Sequence, residues 1–395
     1  MIRPVHGGNL AWAATLAGCP AAAILDFSAS ISPLGPPESA LAAIQAHLSS
    51  LTAYPDPDYG ELRTALGEAF NVDPDWILPG NGSAELLTWA AWDLSRLEAT
   101  YLVTPAFGDY WRALKAFDAK VLDCPLDLKS LDAETGSGLV TDDLSVSNGS
   151  LVSPSLVLPV PFALNADRAL LLNNPHNPTG LLFGREAIRP YLEHLGLVVV
   201  DEAFMDFLPP AEQQSSIAQV EEFPNLVILR SLTKFYSLPG LRMGCAIAHP
   251  DILRRWQLLR DPWPVNALAA AAAAAVVRDT AFERQTWNWL PVARRELFEG
   301  LADLPGLRPM AGAANFLLVE SSVSVAAIQK CLLQRHRILI RDCLSFPELG
   351  DRFFRVAVRE RADNLRLIAG LAEVISQKSG RMEFAPTQTK PASAG

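Results

Sequence analysis

Val198-Val199-Val200-Asp201-Glu202-Ala203-Phe204 runs three β-branched apolar residues straight into two acids. An apolar run this short, without polar alternation, suits a strand covered on both faces of a parallel sheet. Ala169–Leu172 and Leu226–Leu229 read the same way. Outward from these runs, strand and helix alternate from about residue 76. The series is Trp76–Leu78, the loop Gly80-Asn81-Gly82-Ser83, a helix over Ala84–Leu94, a strand at Tyr101–Val103, a helix from Gly108 to Phe117 and a strand at Lys120–Leu122. That grammar predicts an α/β fold with a mostly parallel sheet and ligands at the carboxyl ends of its strands.

The flanks read differently. A helix is expected over Pro36–His47, opened by two prolines. Tyr54-Pro55-Asp56-Pro57-Asp58-Tyr59-Gly60 cannot be a regular helix or central strand, because proline removes a donor and fixes φ. It is read as a rigid loop before a helix at Glu61–Phe70. Ala267 to Val277 is nearly all alanine, too short to span a bilayer, and is expected as a buried helix. Beyond Ala281 a smaller unit is predicted. It comprises helices over Arg284–Leu301, Val325–Gln334 and Asp363–Gln377, with strands near Phe316–Val319, Ile338–Ile340 and Phe353–Val358. The organisation expected is an N-terminal arm and first helix joining the small domain (1–50), a large domain (51–280), a small α/β C-terminal domain (281–377) and a disordered tail (378–395). Ser130 to about Pro159, rich in Ser, Asp and Gly, reads as a surface excursion.

Composition bounds the function. The 395 residues are 50% hydrophobic and 19% charged, which is globular rather than disordered. A net charge of −10 argues against a general nucleic-acid binder. Met1–Cys19 lacks a basic region followed by a long apolar stretch, so no signal peptide is expected, and no membrane segment. The five cysteines are scattered, with no CxxC or Cys/His cluster, so neither a metal site nor a disulfide framework is indicated. A cytoplasmic location with reduced thiols is the expectation.

Ser231-Leu232-Thr233-Lys234-Phe235-Tyr236-Ser237-Leu238-Pro239-Gly240-Leu241-Arg242-Met243-Gly244 follows a buried strand. Its lone lysine is read in an otherwise uncharged loop. Desolvation lowers an amine's pKa, as Schiff-base chemistry requires. Ser231 and Arg242 flank it and suit a phosphate. A surface lysine in a Gly/Pro loop also fits this segment alone. Asn173-Asn174-Pro175-His176-Asn177-Pro178-Thr179-Gly180 presents Asn177 from a two-proline turn, or is simply a strand-ending turn. Asp201 and Glu202 are either buried acids needing a cation or an exposed acidic turn.

In this order and spacing, the three segments resemble class I/II aminotransferases, over about residues 5–375. The resemblance implies a fold-type I, pyridoxal-phosphate-dependent transferase with a seven-stranded, mostly parallel sheet. It implies that Lys234 carries pyridoxal 5′-phosphate as a Schiff base, that Asp201 pairs with the pyridine nitrogen, and that Asn177 bonds the ring O3′. Arg242, Ser231 and the loop Gly82-Ser83-Ala84 would hold the phosphate, and Phe107 would stack on the ring. Tyr54 would reach the phosphate of a neighbouring subunit, so a homodimer is implied. Phe204 stands where many members have a tyrosine bonding O3′.

Arg355, among apolar neighbours in Phe353–Val358, matches the arginine that binds a substrate α-carboxylate; an edge-strand surface arginine is the other reading. His6-Gly7-Gly8-Asn9, Leu25-Asp26-Phe27-Ser28-Ala29 and Pro33-Leu34-Gly35 resemble threonine-phosphate decarboxylases of cobalamin synthesis. Histidinol-phosphate aminotransferases share the Tyr-Pro-Asp-Pro-Asp-Tyr-Gly-Glu-Leu-Arg loop. The decarboxylase resemblance assigns substrate contacts to His6, Gly7, Ser30, Arg341 and Arg355, with Ser30 replacing an expected Asn. It implies a small phosphorylated amino acid as substrate and loss of CO2 as the reaction. Amino transfer is the alternative.

Overall fold

The computed structural model describes residues 3–4, 6–128, 158 and 164–382, with side chains to residue 376. Seven strands form the main sheet, in the order Ile77–Gly80, Gly244–Ala248, Leu226–Ser231, Leu197–Asp201, Arg168–Asn173, Ala99–Thr104 and Val121–Pro125. Only Gly244–Ala248 runs antiparallel to its neighbours, so the expected mostly parallel sheet is present.

Alternation along each strand sorts its side chains between two cores. Val198, Val200, Ile228, Leu170 and Leu172 join one, with Ala269, Ala272 and Ala273 of the alanine-rich helix Ala267–Val276. Val199, Val227, Leu229, Leu171 and Ala246 join the other. That second core also holds Leu86 and Ala90 of the helix Ser83–Leu94, Tyr110 and Leu114 of the helix Gly108–Ala116, and Trp256 of the helix Pro250–Leu259. Asp201 shares the parity of Val199 and therefore emerges on the side of Tyr110. Glu202 shares that of Val200 and emerges on the other.

A four-stranded antiparallel sheet follows, ordered Arg341–Asp342, Phe353–Ala357, Phe316–Ser321, Leu307–Pro309. The helices Thr280–Ala302, Val325–His336 and Arg361–Met382 accompany it. The strand read from sequence over Ile338–Ile340 is divided. Ile338–Leu339 pairs in parallel with Leu25–Asp26 of the arm, while Arg341–Asp342 joins the larger antiparallel sheet.

Three local expectations need correcting. A helix Leu10–Ala17, capped by the Asn9 side chain on Trp12 N, lies within the N-terminal arm, where no helix was expected before Pro36. Its apolar residues pack with Leu333, so the arm joins the smaller sheet's surroundings. The first expected helix does not: Glu38–Ala46 lies against Ala267–Val276, because small alanine side chains permit close approach. The last helix continues to Met382, past residue 377. The excursion read over 130–159, apart from buried Leu158, and the tail beyond 382 lie outside the described residues. Among the described residues, no helix is long and apolar enough to cross a membrane.

Candidate active site

Five strand ends converge. Ser231 lies opposite Gly244, Gly244 opposite Gly80, and Asn173 opposite Asp201. The chain leaves Gly80 into Gly82 and enters the helix at Ser83. A Cβ at Gly82, where φ is +75°, would lie 2.5 Å from Arg242 Nη2, and one at Gly244 would lie 2.7 Å from Ser83 N. Bare backbone thus brings a helix N-terminus and a guanidinium to one point. Among the described residues, Arg242 makes no ion pair with a carboxylate; its one hydrogen bond is to Pro239 O, at 3.4 Å. Unused N–H groups beside a cation suit a phosphate.

Lys234 sits in a one-turn helix, Leu232–Phe235, rather than the loop expected. Its backbone carbonyl accepts from Ser32 N at 2.9 Å, and Ser237 Oγ donates to Ser32 O at 2.7 Å, so the arm clamps the lysine segment. Burial pushes the amine's pKa down, Asp201 opposes this, and Arg355 and Arg242 reinforce it. Lys234 is half-buried under the arm rather than standing on an open surface loop. Asp201 is buried, which raises its pKa, while Lys234 and two donors hold it down. Those donors are Tyr110 Oη, at 2.8 Å from Oδ2, and Ala203 N, at 3.0 Å from Oδ1.

Asn173 and Asn174 organise the turn that carries Asn177. Asn173 Oδ1 accepts from Asn177 N at 2.6 Å, and its Nδ2 donates to Asp201 O at 2.7 Å. Asn174 exchanges two hydrogen bonds with the Phe183 backbone. The Asn177 amide oxygen accepts from Arg355 Nη1. Arg355 lies on an interior strand, not an edge, and directly opposite Arg341. Burial first, then Arg341, lowers its pKa to about 10. No carboxylate pairs with Arg355 among the described residues, so a half-buried guanidinium is left facing the site without an anion.

The arm closes the remaining side. A Cβ on Gly7 would fall 2.2 Å from Ser28 O, and Gly8 N donates to Ser28 Oγ at 2.8 Å. His6 contacts Phe107, ring centroids 5.5 Å apart, and lines one shallow cavity with Gly7, Ser28 and Arg341. Ser30 Oγ is buried without a hydrogen-bond partner. Tyr54 stands apart from this assembly: it is 78% exposed and stacks on Trp263 at 4.4 Å.

Tyr110, Asn173 and Asn174 escaped the sequence reading. Tyr110 had a legible signal in hindsight, a polar ring three residues beyond Phe107 on a helix whose other inward residues are apolar. Among the described residues no cluster of metal-ligating side chains occurs.

A mostly parallel sheet that sets an enclosed lysine beside a buried aspartate, with an unpaired arginine at a Gly-Ser helix start, defines a pyridoxal-phosphate enzyme. The chain belongs to the aminotransferase class I and II family, whose model matches residues 22–371. It is 36% identical over 95% of its length to threonine-phosphate decarboxylase of Salmonella typhimurium, covering 98% of that protein. It is 30% identical to histidinol-phosphate aminotransferase 2 of Ralstonia nicotianae, covering 91% of each chain. The crystal structure of the histidinol-phosphate aminotransferase from Clostridium acetobutylicum superimposes with a TM-score of 0.75 at 25% identity, over 90% of this chain and 100% of that one.

Proposed function

We propose that the protein decarboxylates L-threonine O-3-phosphate to 1-amino-2-propanol O-phosphate and CO2, as a step of cobalamin synthesis. The observation that carries the reading is the register pairing of Arg341 with Arg355 beneath an arm bearing His6. One substrate with both a carboxylate and a phosphate would engage these two adjacent cations. The 36% identity to a threonine-phosphate decarboxylase supports it.

Pyridoxal phosphate, when bound, takes up the substrate amino group and draws electrons from one bond at the α-carbon. Lys234 would carry it, Asp201 would face its ring nitrogen, and Arg242 with the Gly82-Ser83-Ala84 backbone and Ser231 would hold its phosphate. Asn177 keeps its amide N–H groups for the ring oxygen, because Arg355 occupies its Oδ1. Phe107 would lie against the ring, and Phe204 supplies no hydroxyl at that oxygen.

The protein's own groups then choose the bond that breaks. Arg355 fixes the carboxylate by a two-pronged contact, and Arg341 with His6 and Gly7 would hold the phosphate. Held at both ends, the substrate has little torsional freedom about its α-carbon, so one bond stands across the ring. Lys234 Nζ, with its lowered pKa, returns a proton to that carbon after CO2 departs. Ser30, whose buried hydroxyl has no hydrogen-bond partner, lies on the arm between Ser28, which accepts from Arg355, and Ser32, which donates to the Lys234 carbonyl, and would meet the substrate there.

We read the enzyme as a cytoplasmic homodimer in which Tyr54 reaches the partner's site. Exposed Leu48, Leu51, Tyr54, Leu258 and Trp263 support a partner surface, and five unpaired cysteines suit a reducing compartment. The large domain is taken as 51–280 with the helix Glu38–Ala46 packed on it, and the small one as 281–382 joined by the helix Leu10–Ala17. Incubation with L-threonine O-3-phosphate and no oxo-acid tests the function. CO2 release is expected; acceptor-dependent amino transfer from histidinol phosphate, the activity named for the 30% identical Ralstonia relative, would replace this reading.

A further inference from the structure

Lys234 Nζ lies 4.7 Å from the centroid of the Phe204 ring, and Arg355 Cζ lies 4.6 Å from that of Phe316. The two rings meet edge to face, centroids 5.1 Å apart at 78°. Both are buried, at 3% and 0% exposure. Phe204 comes from the turn after the strand that delivers Asp201. Phe316 opens a strand of the other sheet, two positions from Leu318, the residue opposite Arg355. One aromatic contact therefore joins the two sheets and carries a cation on each side.

We propose that the Phe204–Phe316 pair is a positioning device that seats the Lys234 amine and the Arg355 guanidinium at a set spacing. The inference rests on the reading of Lys234 as the proton carrier and Arg355 as the carboxylate holder. A ring's face is negative and its edge positive, so each face attracts a cation while the edge-to-face contact locks the rings together. Asp201 is the one carboxylate among the charged groups acting on Lys234, and Arg355 and Arg242 both oppose its protonation. Arg355 has no carboxylate at all among the described residues. In both cases an aromatic face supplies attraction that costs no negative charge. A carboxylate in either place would compete with the substrate's own anions. The spacing matters because the reaction needs carboxylate and proton donor at opposite ends of one bond change.

The test titrates Lys234 in the cofactor-free protein, from the pH dependence of its reductive methylation read by mass spectrometry. Phe204→Leu is expected to lower the amine's pKa by about 0.5–1 unit, while Phe204→Tyr, which keeps the face, leaves it in place. Phe316→Leu is expected to raise KM about fivefold to tenfold, with kcat changing less, for whichever amino acid the wild type turns over. Equal lysine titration in the wild type and Phe204→Leu would overturn the proposal, as would an equal shift in Leu and Tyr variants. The lysine titration decides the matter even if the wild type releases no CO2 from L-threonine O-3-phosphate, so the two readings fail separately.

Discussion

Tyr110 donates its phenolic proton to Oδ2 of Asp201 at 2.8 Å, within the core on one face of the main sheet. Its ring meets Phe107 edge-on, centroids 5.7 Å apart. Burial, then the aspartate's charge, raises the phenol's pKa well above its ordinary value, so it acts as donor throughout the working range.

Replacing Tyr110 by Phe keeps the ring and removes that donor. A hydrogen bond to a buried charge contributes about 1.5–3 kcal/mol. The Asp201 carboxylate should then hold a ring-nitrogen cation less firmly. Cofactor affinity, followed by fluorescence titration of the cofactor-free protein, is expected to fall about tenfold or more. The cofactor-free protein should also unfold more easily in urea, by about 1.5–3 kcal/mol, because the buried carboxylate loses the same donor.

Gly82→Ala puts a Cβ 2.5 Å from Arg242 Nη2 at a φ of +75°. The guanidinium tip can swing away, so the chain should still fold, at a strain cost of about 1–2 kcal/mol. The displaced arginine is then lost to the phosphate. Affinity for pyridoxal phosphate and for inorganic phosphate should fall together, whereas pyridoxal without phosphate should bind as before.

His176 is buried with Nδ1 2.8 Å from Thr179 Oγ1, and burial pulls its pKa from 6.5 to about 3. The unfolded chain takes up a proton near 6.5 and the folded chain does not. Stability from this group is therefore complete above pH 6.5 and declines as pH falls toward 3, by up to about 1.4 kcal/mol per pH unit. Urea unfolding between pH 7 and 4 should show that slope, and His176→Asn should flatten it.

Lys234→Ala should abolish turnover and leave no cofactor trapped covalently by borohydride. Tyr54→Ala should hold pyridoxal phosphate poorly and turn over slowly, if each Tyr54 serves the neighbouring site. Mixed under subunit exchange, the two inactive or weakened proteins should regain activity above the sum of the parents. One hybrid site then has both Lys234 from one chain and Tyr54 from the other. No gain on mixing would mean that Tyr54 acts within its own chain or not at all.

Much of the fold was legible because strands buried on both faces leave unbroken apolar runs, as at Val198–Val200 and Leu226–Leu229. Boundaries were less so. The short helix at Lys234 carries no periodicity long enough to read. The helix Leu10–Ala17 has apolar residues nearly all around, so no face is marked. Residues 338–342 contain two pairings with different partners, which no local pattern can separate.

The amino-acid order by itself determined the alternating sheet, the glycines that let backbone and arginine approach, and the lysine and aspartate placed after buried strands. These depend on local sterics and on burial of apolar runs. Only the tertiary structure decided that Tyr110 reaches Asp201, that Arg341 and Arg355 stand side by side, and that two phenylalanines 112 positions apart join two cations. Those contacts depend on strand order, register and the crossing of two sheets, and such long-range geometry leaves no periodic mark on the chain.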